Sequence, residues 1–564
     1  MYAFHARRCY NMSEIVKYFG IPGAGKTQRL LRDIEEYSHD GTLLNHIWYS
    51  TFTKLAADDA KDRIAQKFHL STEDVKELNF GTIHSLCLRL LEWNLAHGGD
   101  DDELGMRLEL PSDRDKYLKQ HDIQYPIHNT KLQEDTPESI LSENEFFDKT
   151  DEERLFSVMS WCNHRCLPFE KWKSSEICFE YINPDDVVDI CDGWVEYKQK
   201  HDLVDFDDML LKTLEQKVVP SGEVLFIDEF QDLSPLLYRV FDMWSKNIDK
   251  VVVAGDDDQT IYSFSGASPR FLLDLPGDFE VLSLSHRVPE NILMKAKALI
   301  ETVETRQYKD YISKKPDGRF IYLQYPDFND IIKYIPYDKE VFLLFRTNYL
   351  ALKFTLDYLI PNGIPFVKLK ESTKIPNIWT NKLITIRNAF VNIHQKKQLS
   401  RQQVSRLLKM LPSCSKGKPD GYVYYGKKTW IKKCTQKQWT IPELHSLFHK
   451  IPSWDSQPVL SYIANRLQTD AYIANIANEY HHFNPSNIKI GTIHSVKGLE
   501  ADVVFVFNNH TATTENAILD RGRPVIDEEK RLYYVGITRA KETCVLVDNF
   551  FDNYVFDLEV IKYE

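Results

Sequence analysis

The chain has 564 residues, 43% hydrophobic and 27% charged, which excludes a disordered or low-complexity polymer and leaves room for roughly three to five domains. No apolar run reaches the ~18 residues a membrane helix needs, the opening MYAFHARRCYN lacks a signal-peptide core, and nine scattered cysteines fit reduced thiols. A cytoplasmic or nucleoid-associated protein with no membrane partner is expected. The net charge of −13 excludes a uniformly basic nucleic-acid binder, but not a local basic patch.

In chain order, the first informative stretch is GIPGAGKT, Gly20 to Thr27. It fits G-x-x-x-x-G-K-[ST], with an apolar strand, IVKYF, before it and a helical pattern, QRLLRDIEEY, after it. In that context Gly20, Gly23 and Gly25 free backbone N–H groups for phosphates at a helix N-terminus. Lys26 would neutralise the outer phosphates and Thr27 would ligate Mg²⁺, so ATP and Mg²⁺ are the expected cofactors. Gln28 follows within the same site.

The second carboxylate site such a loop needs is VLFIDEFQD. Its apolar strand ends on Asp228, which would hold Mg²⁺, and Glu229, the expected base for the hydrolytic water. A further apolar strand, VVVAG, leads into DDDQTIYSFSGA and places Gln259 at the strand's C-terminal edge, where ligands of α/β sheets collect; Gln259 could there sense a γ-phosphate. Four cysteines, Cys162, Cys166, Cys178 and Cys191, fall within 30 residues. They contain no C-x-x-C pair, so ordinary thiols are favoured over a metal site.

The pentapeptide GTIHS occurs twice, at Gly81–Ser85 and at Gly491–Ser495, 410 residues apart. The second copy runs into another buried strand, in VKGLEADVVFVF, and VFLLFRTN supplies one more. The C-terminal half therefore reads as a second α/β lobe without a P-loop of its own. Between Lys396 and Lys437 lie twelve Lys or Arg and one acid, Asp420, interleaved with Tyr422, Tyr424, Tyr425 and Trp430. Setting that +11 aside leaves −24 on the rest of the chain, so this is a local patch suited to phosphates, with Lys427 and Lys428 near its centre.

The ordered set GIPGAGKT, TFTKLAADDAKDRI, GTIHSLCLRLL, VDFDDML, FIDEFQD, AGDDDQTIYSFSGA, LSHR, LFRTN, GTIHSVKGLEADVVFV and RLYYVGITRAKE, spanning residues 20 to 547, resembles the superfamily 1 DNA helicases of the UvrD, Rep and PcrA branch. The resemblance implies an α/β fold of two RecA-like P-loop NTPase lobes, each interrupted by a mostly helical insertion. The implied boundaries are 1–92 and 195–274 for the first lobe, 93–194 for its insertion, 275–372 and 485–564 for the second lobe, and 373–484 for the insertion carrying the basic patch. It implies an ATP-dependent helicase or translocase moving 3′ to 5′ on single-stranded DNA and opening duplex at junctions. The alternative is a DNA-stimulated switch or clamp subunit that does not unwind by itself.

Residue by residue, the resemblance makes Arg287 and Arg539 arginine fingers and Glu500 a ribose contact. It sets Phe52, Thr53, Tyr262 and Phe264, with Thr82, His84, Thr492, His494 and Lys497, along the strand, and gives Lys427 and Lys428 duplex phosphates. RNA as the track, a protein loading partner, and monomer or weak dimer are left open. Three departures surround the base: no glutamine precedes Gly20, Gln28 stands where an arginine is usual, and His286 where a tyrosine is usual. Weak discrimination among nucleotide bases is expected. The family's strand-separating segment is replaced by NNHTATTENAILDRGRP.

Overall fold

In the computed structural model, residues 13–97, 107–109, 111–120, 151–369 (apart from 176, 178, 180, 181 and 363), 396–410 and 487–562 are described, with a few more between 385 and 443. Numbering only the strands of the two large sheets, the first contains β1 (Glu14–Gly20), β2 (Ile47–Ser50), β3 (Asn79–Gly81), β4 (Val224–Ile227), β5 (Lys250–Gly255) and β6 (Asp278–Leu282). Their order is β3-β2-β4-β5-β1-β6, and every pairing is parallel.

Side chains of a strand point alternately to its two faces, and both faces of this sheet are covered. Leu225 and Ile227 of β4, with Val251 and Val253 of β5, enter a core shared with helices Ile83–His97, Phe206–Glu215 and Pro235–Ser245. Val224, Phe226, Val252 and Ala254 face a second core, shared with helices Lys26–His39 and Lys54–Lys67. That is why these strands read as unbroken apolar runs rather than as alternating ones.

The second sheet contains β7 (Arg319–Gln324), β8 (Val341–Phe345), β9 (Val367–Lys368), β10 (Ile488–Thr492), β11 (Ala501–Asn508) and β12 (Ala540–Asp548), in the order β7-β12-β11-β8-β10-β9. Its core gathers Val341, Leu343 and Phe345 of β8 with Ile490, Phe505, Phe507 and Val547, against helix Asn348–Phe354.

The chain divides into two compact units: residues up to Arg319 with Asn516–Thr538 and the segment from Leu558, and Phe320–Glu515 with Arg539–Asp557. Three stretches expected in the second lobe, 275–319, 516–538 and the segment from Leu558, thus fall in the first unit. β6 pairs with β1 from Val16↔Asp278 to Gly20↔Leu282, and helix Arg523–Ile537 is tied to the first unit through Arg531, whose guanidinium donates to the Asp257 and Thr305 carbonyls at 3.2 and 2.7 Å.

The first insertion builds its own small core from Tyr117, Leu155, Val158, Trp172, Val187 and Trp194. Cys162 and Cys191 are buried in it, and burial pushes the Cys162 thiol up to about 11. Cys166 is exposed and Cys178 lies outside the described residues. Of the second insertion, helix Arg401–Met410 and the antiparallel pair Leu399–Ser400 with Gln438–Trp439 are described. Lys427, Lys428 and most of the basic patch lie outside the described residues. Among the described residues, no helix is long and apolar enough to cross a membrane.

Candidate nucleotide and nucleic-acid site

Because the first sheet is all parallel, the loops after β1, β4 and β5 leave from one edge. After β1 the chain turns through Gly23 (φ +75°) and Gly25 (φ +78°), left-handed conformations that glycine adopts without a Cβ penalty. Gly25 then caps helix Lys26–His39. A Cβ on Gly23 would lie 2.6 Å from Cβ of Arg287, and one on Gly20 would meet the Lys26 stem at 2.5 Å. The Lys26 ammonium donates to the Gly20 carbonyl at 3.1 Å, which lays it across the loop that carries it. Gln28 is exposed on the first helical turn.

The loop after β4 meets this one directly. The Thr27 hydroxyl donates to Asp228 Oδ2 at 2.5 Å, and Tyr49 donates to the same oxygen at 3.3 Å. Asp228 is buried, and that burial, with Glu229 next to it, pushes its carboxyl up to about 6 against the pull of Thr27 and Lys26. Two hard oxygen donors thus share one position beside a cationic side chain, the donor set a Mg²⁺–nucleotide complex requires.

Glu229 follows with a left-handed backbone, φ +55°, and its carboxylate accepts from Gln231 Nε2 at 2.6 Å. The other end of the Gln231 amide accepts from the Asp256 N–H at 2.9 Å, and Asp256 Oδ2 accepts from Gln259 Nε2 at 2.7 Å. Glu229 and Gln259, expected from sequence as base and sensor, are therefore joined through Gln231 and Asp256. A Cβ on Gly255 would stand 2.6 Å from Gln231 Oε1, so glycine there leaves room for the link.

The LSHR segment lies against the P-loop. His286 N–H donates to the Gly23 carbonyl at 2.9 Å and the Ser285 hydroxyl to that of Pro22 at 2.7 Å, which brings the Arg287 backbone to the loop. Arg539 and Glu500 belong to the second unit. Arg539 is buried at the head of β12, with its carbonyl accepting from Ala501 N–H at 3.1 Å, while Glu500 is exposed just before β11.

Beneath Gln259 is a charged core that the sequence did not announce. Asp256, Asp257 and Asp258 are fully buried, and the equally buried Lys309 ammonium lies 3.2, 2.5 and 2.8 Å from their carboxylates. Arg306 adds two bonds to Asp258, at 3.0 and 2.8 Å, and Tyr311 donates to the same carboxylate at 3.0 Å. Burial acts to neutralise every member. Lys309 nevertheless stays charged, its pKa held well above the usual value by the three aspartates, and Asp258 stays below the usual carboxylate range, while Asp257 rises to about 6. This is the one cluster of potential metal-binding side chains among the described residues, and the lysine already occupies its centre.

Both GTIHS copies form the same turn at the end of a strand. In each, threonine Oγ accepts from the serine N–H at 3.3 Å (Thr82–Ser85 and Thr492–Ser495), and the serine hydroxyl donates back to the threonine carbonyl at 2.9 and 2.6 Å. Ile83 and Ile493 are buried, and a Cβ on either glycine would collide with the serine hydroxyl. Four of the five residues are therefore accounted for by the turn, leaving the histidine as the position it does not require. His84 sits 6.1 Å from the Phe206 ring and 6.4 Å from His164, and burial, with His164 adding, pushes it down to about 4. His494 and Lys497 are half-buried beside the second turn.

Phe52 and Tyr262 stack at 5.3 Å with 16° between their planes, and Phe264 meets Tyr262 edge-on at 5.8 Å. Phe52 is 41% and Phe264 60% exposed, more than core packing would leave. Thr53 is committed to capping helix Lys54–Lys67, its hydroxyl accepting from Ala56 N–H at 3.3 Å.

Two family models match this chain: the UvrD/REP helicase N-terminal domain over residues 13–280 and the UvrD-like helicase C-terminal domain over residues 209–548. The chain belongs to the UvrD-like helicase family. Among relatives of this UvrD-like helicase, the ATP-dependent DNA helicase Rep of Buchnera aphidicola subsp. Acyrthosiphon pisum is 23% identical, covering 92% of this chain and 90% of the relative. PcrA of Staphylococcus aureus is 20% identical over 92% of this chain and 79% of its own. UvrD2 of Mycobacterium bovis reaches 36% identity over 146 residues, 23% of this chain and 21% of the relative.

In this UvrD-like helicase, Gln231, Asp256, Arg306 and Lys309 are site residues that sequence reasoning missed. Gln231 carried a signal, being a glutamine two positions past Glu229 at a buried strand exit. Arg306 and Lys309 carried none, since they stand about fifty residues from the aspartates they neutralise.

Proposed function

We propose that this chain is a DNA-stimulated ATPase motor that moves 3′ to 5′ on single-stranded DNA and separates duplex at junctions. The family's activity is ATP-dependent DNA unwinding, and the direction is inferred from the resemblance. The observation that carries the reading is the meeting of Thr27 with Asp228 at 2.5 Å, with Lys26 on one side and Glu229 linked through Gln231 to Gln259 on the other.

In this reading Lys26 releases Gly20 to meet the outer phosphates. Thr27 and Asp228 would hold Mg²⁺, whose contribution when bound is to neutralise phosphate charge. Glu229 orients and deprotonates the attacking water, and Gln259 reports the γ-phosphate to the loop beyond it. Arg287 and Arg539 supply the arginine charge, Glu500 the ribose contact, and Gly20, Gly23, Gly25 and Gln28 the phosphate cradle and its flank. Phe52, Tyr262 and Phe264 stack bases, an attraction open to any base because each presents a π-face. Thr53, Thr82, His84, Thr492, His494 and Lys497 line the strand's backbone, and Lys427 and Lys428 grip duplex phosphates.

Strand displacement on matched substrates with 3′ or 5′ single-stranded tails, with ATP and Mg²⁺, tests this reading. Opening of the 3′-tailed substrate alone is expected. Opening of the 5′-tailed one refutes the direction. Failure on both, with hydrolysis still stimulated by single-stranded DNA, moves the switch or clamp reading ahead.

A further inference from the structure

The helix Asp151–His164 of the first insertion ends on Asn163 and His164, with Arg165 next, and these side chains tie it to other parts of the first unit. Asn163 donates to Asp207 Oδ2 at 3.0 Å. His164 sits between Asp207 Oδ1, 3.2 Å from its Nε2, and the Ser234 hydroxyl, 2.8 Å from its Nδ1. Arg165 reaches the aromatic loop, where one terminal guanidinium nitrogen donates to the carbonyls of Ser263 and Phe264 at 2.7 and 3.2 Å. Its guanidinium also lies 4.7 Å from the centre of the Trp161 ring, which keeps its plane from swinging away.

The same loop is held from a second side. The Glu528 carboxylate, on helix Arg523–Ile537, lies toward the Ser263 hydroxyl and attracts Arg165. At the loop's end Gly266 has φ +91°, and a Cβ there would lie 2.8 Å from Pro235 and 3.2 Å from the Arg165 stem. The backbone under Phe264 is thus clamped while its ring stands in solvent. A ring that stacks bases gains most when its orientation is set beforehand, because ordering the loop on binding would subtract from the affinity.

We propose that Arg165 is a positioning residue for single-strand binding, holding the Ser263–Phe264 backbone so that Phe264 presents its ring to the bases. The inference rests on the reading above that this ring stacks on bases. Arg165 touches no base and acts through the loop.

The test compares wild type, Arg165→Ala, Arg165→Lys, Phe264→Ala and the Arg165→Ala/Phe264→Ala double variant in equilibrium binding of a labelled oligo-dT, followed by fluorescence anisotropy at several salt concentrations. Arg165→Ala should weaken binding about tenfold, the scale of losing one ordered stack. Arg165→Lys should recover most of that, since one ammonium can serve both carbonyls. In the Phe264→Ala background the further loss should be under twofold, and the log–log salt slope should not move. Unchanged affinity in Arg165→Ala, the same tenfold loss repeated without Phe264, or a slope reduced by about 0.7, as for a lost phosphate contact, each overturns the proposal. If Phe264→Ala itself binds like wild type, the stacking reading fails and this inference with it.

Discussion

Gln231 offers a direct test of how the hydrolytic base is held. Its side chain is fully buried and spans two groups, Glu229 Oε2 at 2.6 Å and the Asp256 N–H at 2.9 Å. In Gln231→Ala the Glu229 carboxylate loses a hydrogen bond worth roughly 1.5–3 kcal/mol. If that bond sets the carboxylate against the water only in the transition state, turnover falls roughly 10- to 150-fold. The Michaelis constant for ATP should stay within about twofold of wild type, because Gln231 lies behind the base and away from the phosphate loop. Orphaning the Asp256 N–H costs a further ~1–3 kcal/mol of stability, so the assay is paired with a denaturant titration. Gln231→Glu keeps an acceptor for Asp256 but sets one carboxylate against another, which raises the pKa of Glu229. Its turnover should fall as well, with the acid limb of its pH–rate profile displaced to higher pH. Steady-state ATPase with saturating single-stranded DNA reads both variants. Turnover of Gln231→Ala within twofold of wild type, or a loss confined to the Michaelis constant, would refute the reasoning.

Lys309→Met should leave three buried aspartates with only Arg306 against them and cost about 3–5 kcal/mol, read as an earlier denaturant midpoint; adding Asp257→Asn should restore part of the loss. His84, held near 4 by burial and by His164, binds its proton less readily folded than unfolded. Its contribution is therefore intact above pH 6.5 and lost as the pH falls toward 4, and about 2 kcal/mol should disappear between pH 7 and pH 5 in wild type but not in His84→Gln, as unfolding titrations at the two pH values will show. Competition of GTP and CTP against ATP in the hydrolysis assay should show weak base selectivity, since Gln28 and His286 replace the usual residues around the base; a strong ATP preference contradicts it.

Much of the site was legible because its chemistry is local. The P-loop is written in consecutive residues, since the left-handed turns at Gly23 and Gly25 favour glycine and the lysine and threonine must open the helix that follows. The same holds for DEFQD, an acidic exit from a buried strand, and for GTIHS, whose repetition reflects a turn that needs a glycine, a capping threonine, a buried isoleucine and a back-bonding serine. Unbroken apolar runs such as VLFI and VVVAG marked strands of an α/β sheet, and the structure contains them.

What the sequence could not disclose depends on which distant segments meet. The strand at 278–282 was assigned past the first lobe, but its partner is β1, and parallel pairing between strands some 260 residues apart has no local signature. The segment Asn516–Thr538 packs with the first unit because Arg531 finds the Asp257 and Thr305 carbonyls there. Lys309 and Arg306 are ordinary exposed-type residues in sequence and become buried counter-ions only because the fold brings three aspartates to them. Arg165 lies outside every motif and acquires a task through the backbone of Ser263 and Phe264. By itself the sequence determined which residues can cradle a phosphate, hold a metal and turn a strand, because those demands fall on neighbours along the chain. Tertiary structure decided which buried charges are neutralised and which loops are clamped, because desolvation and hydrogen bonding act between groups that are close in space.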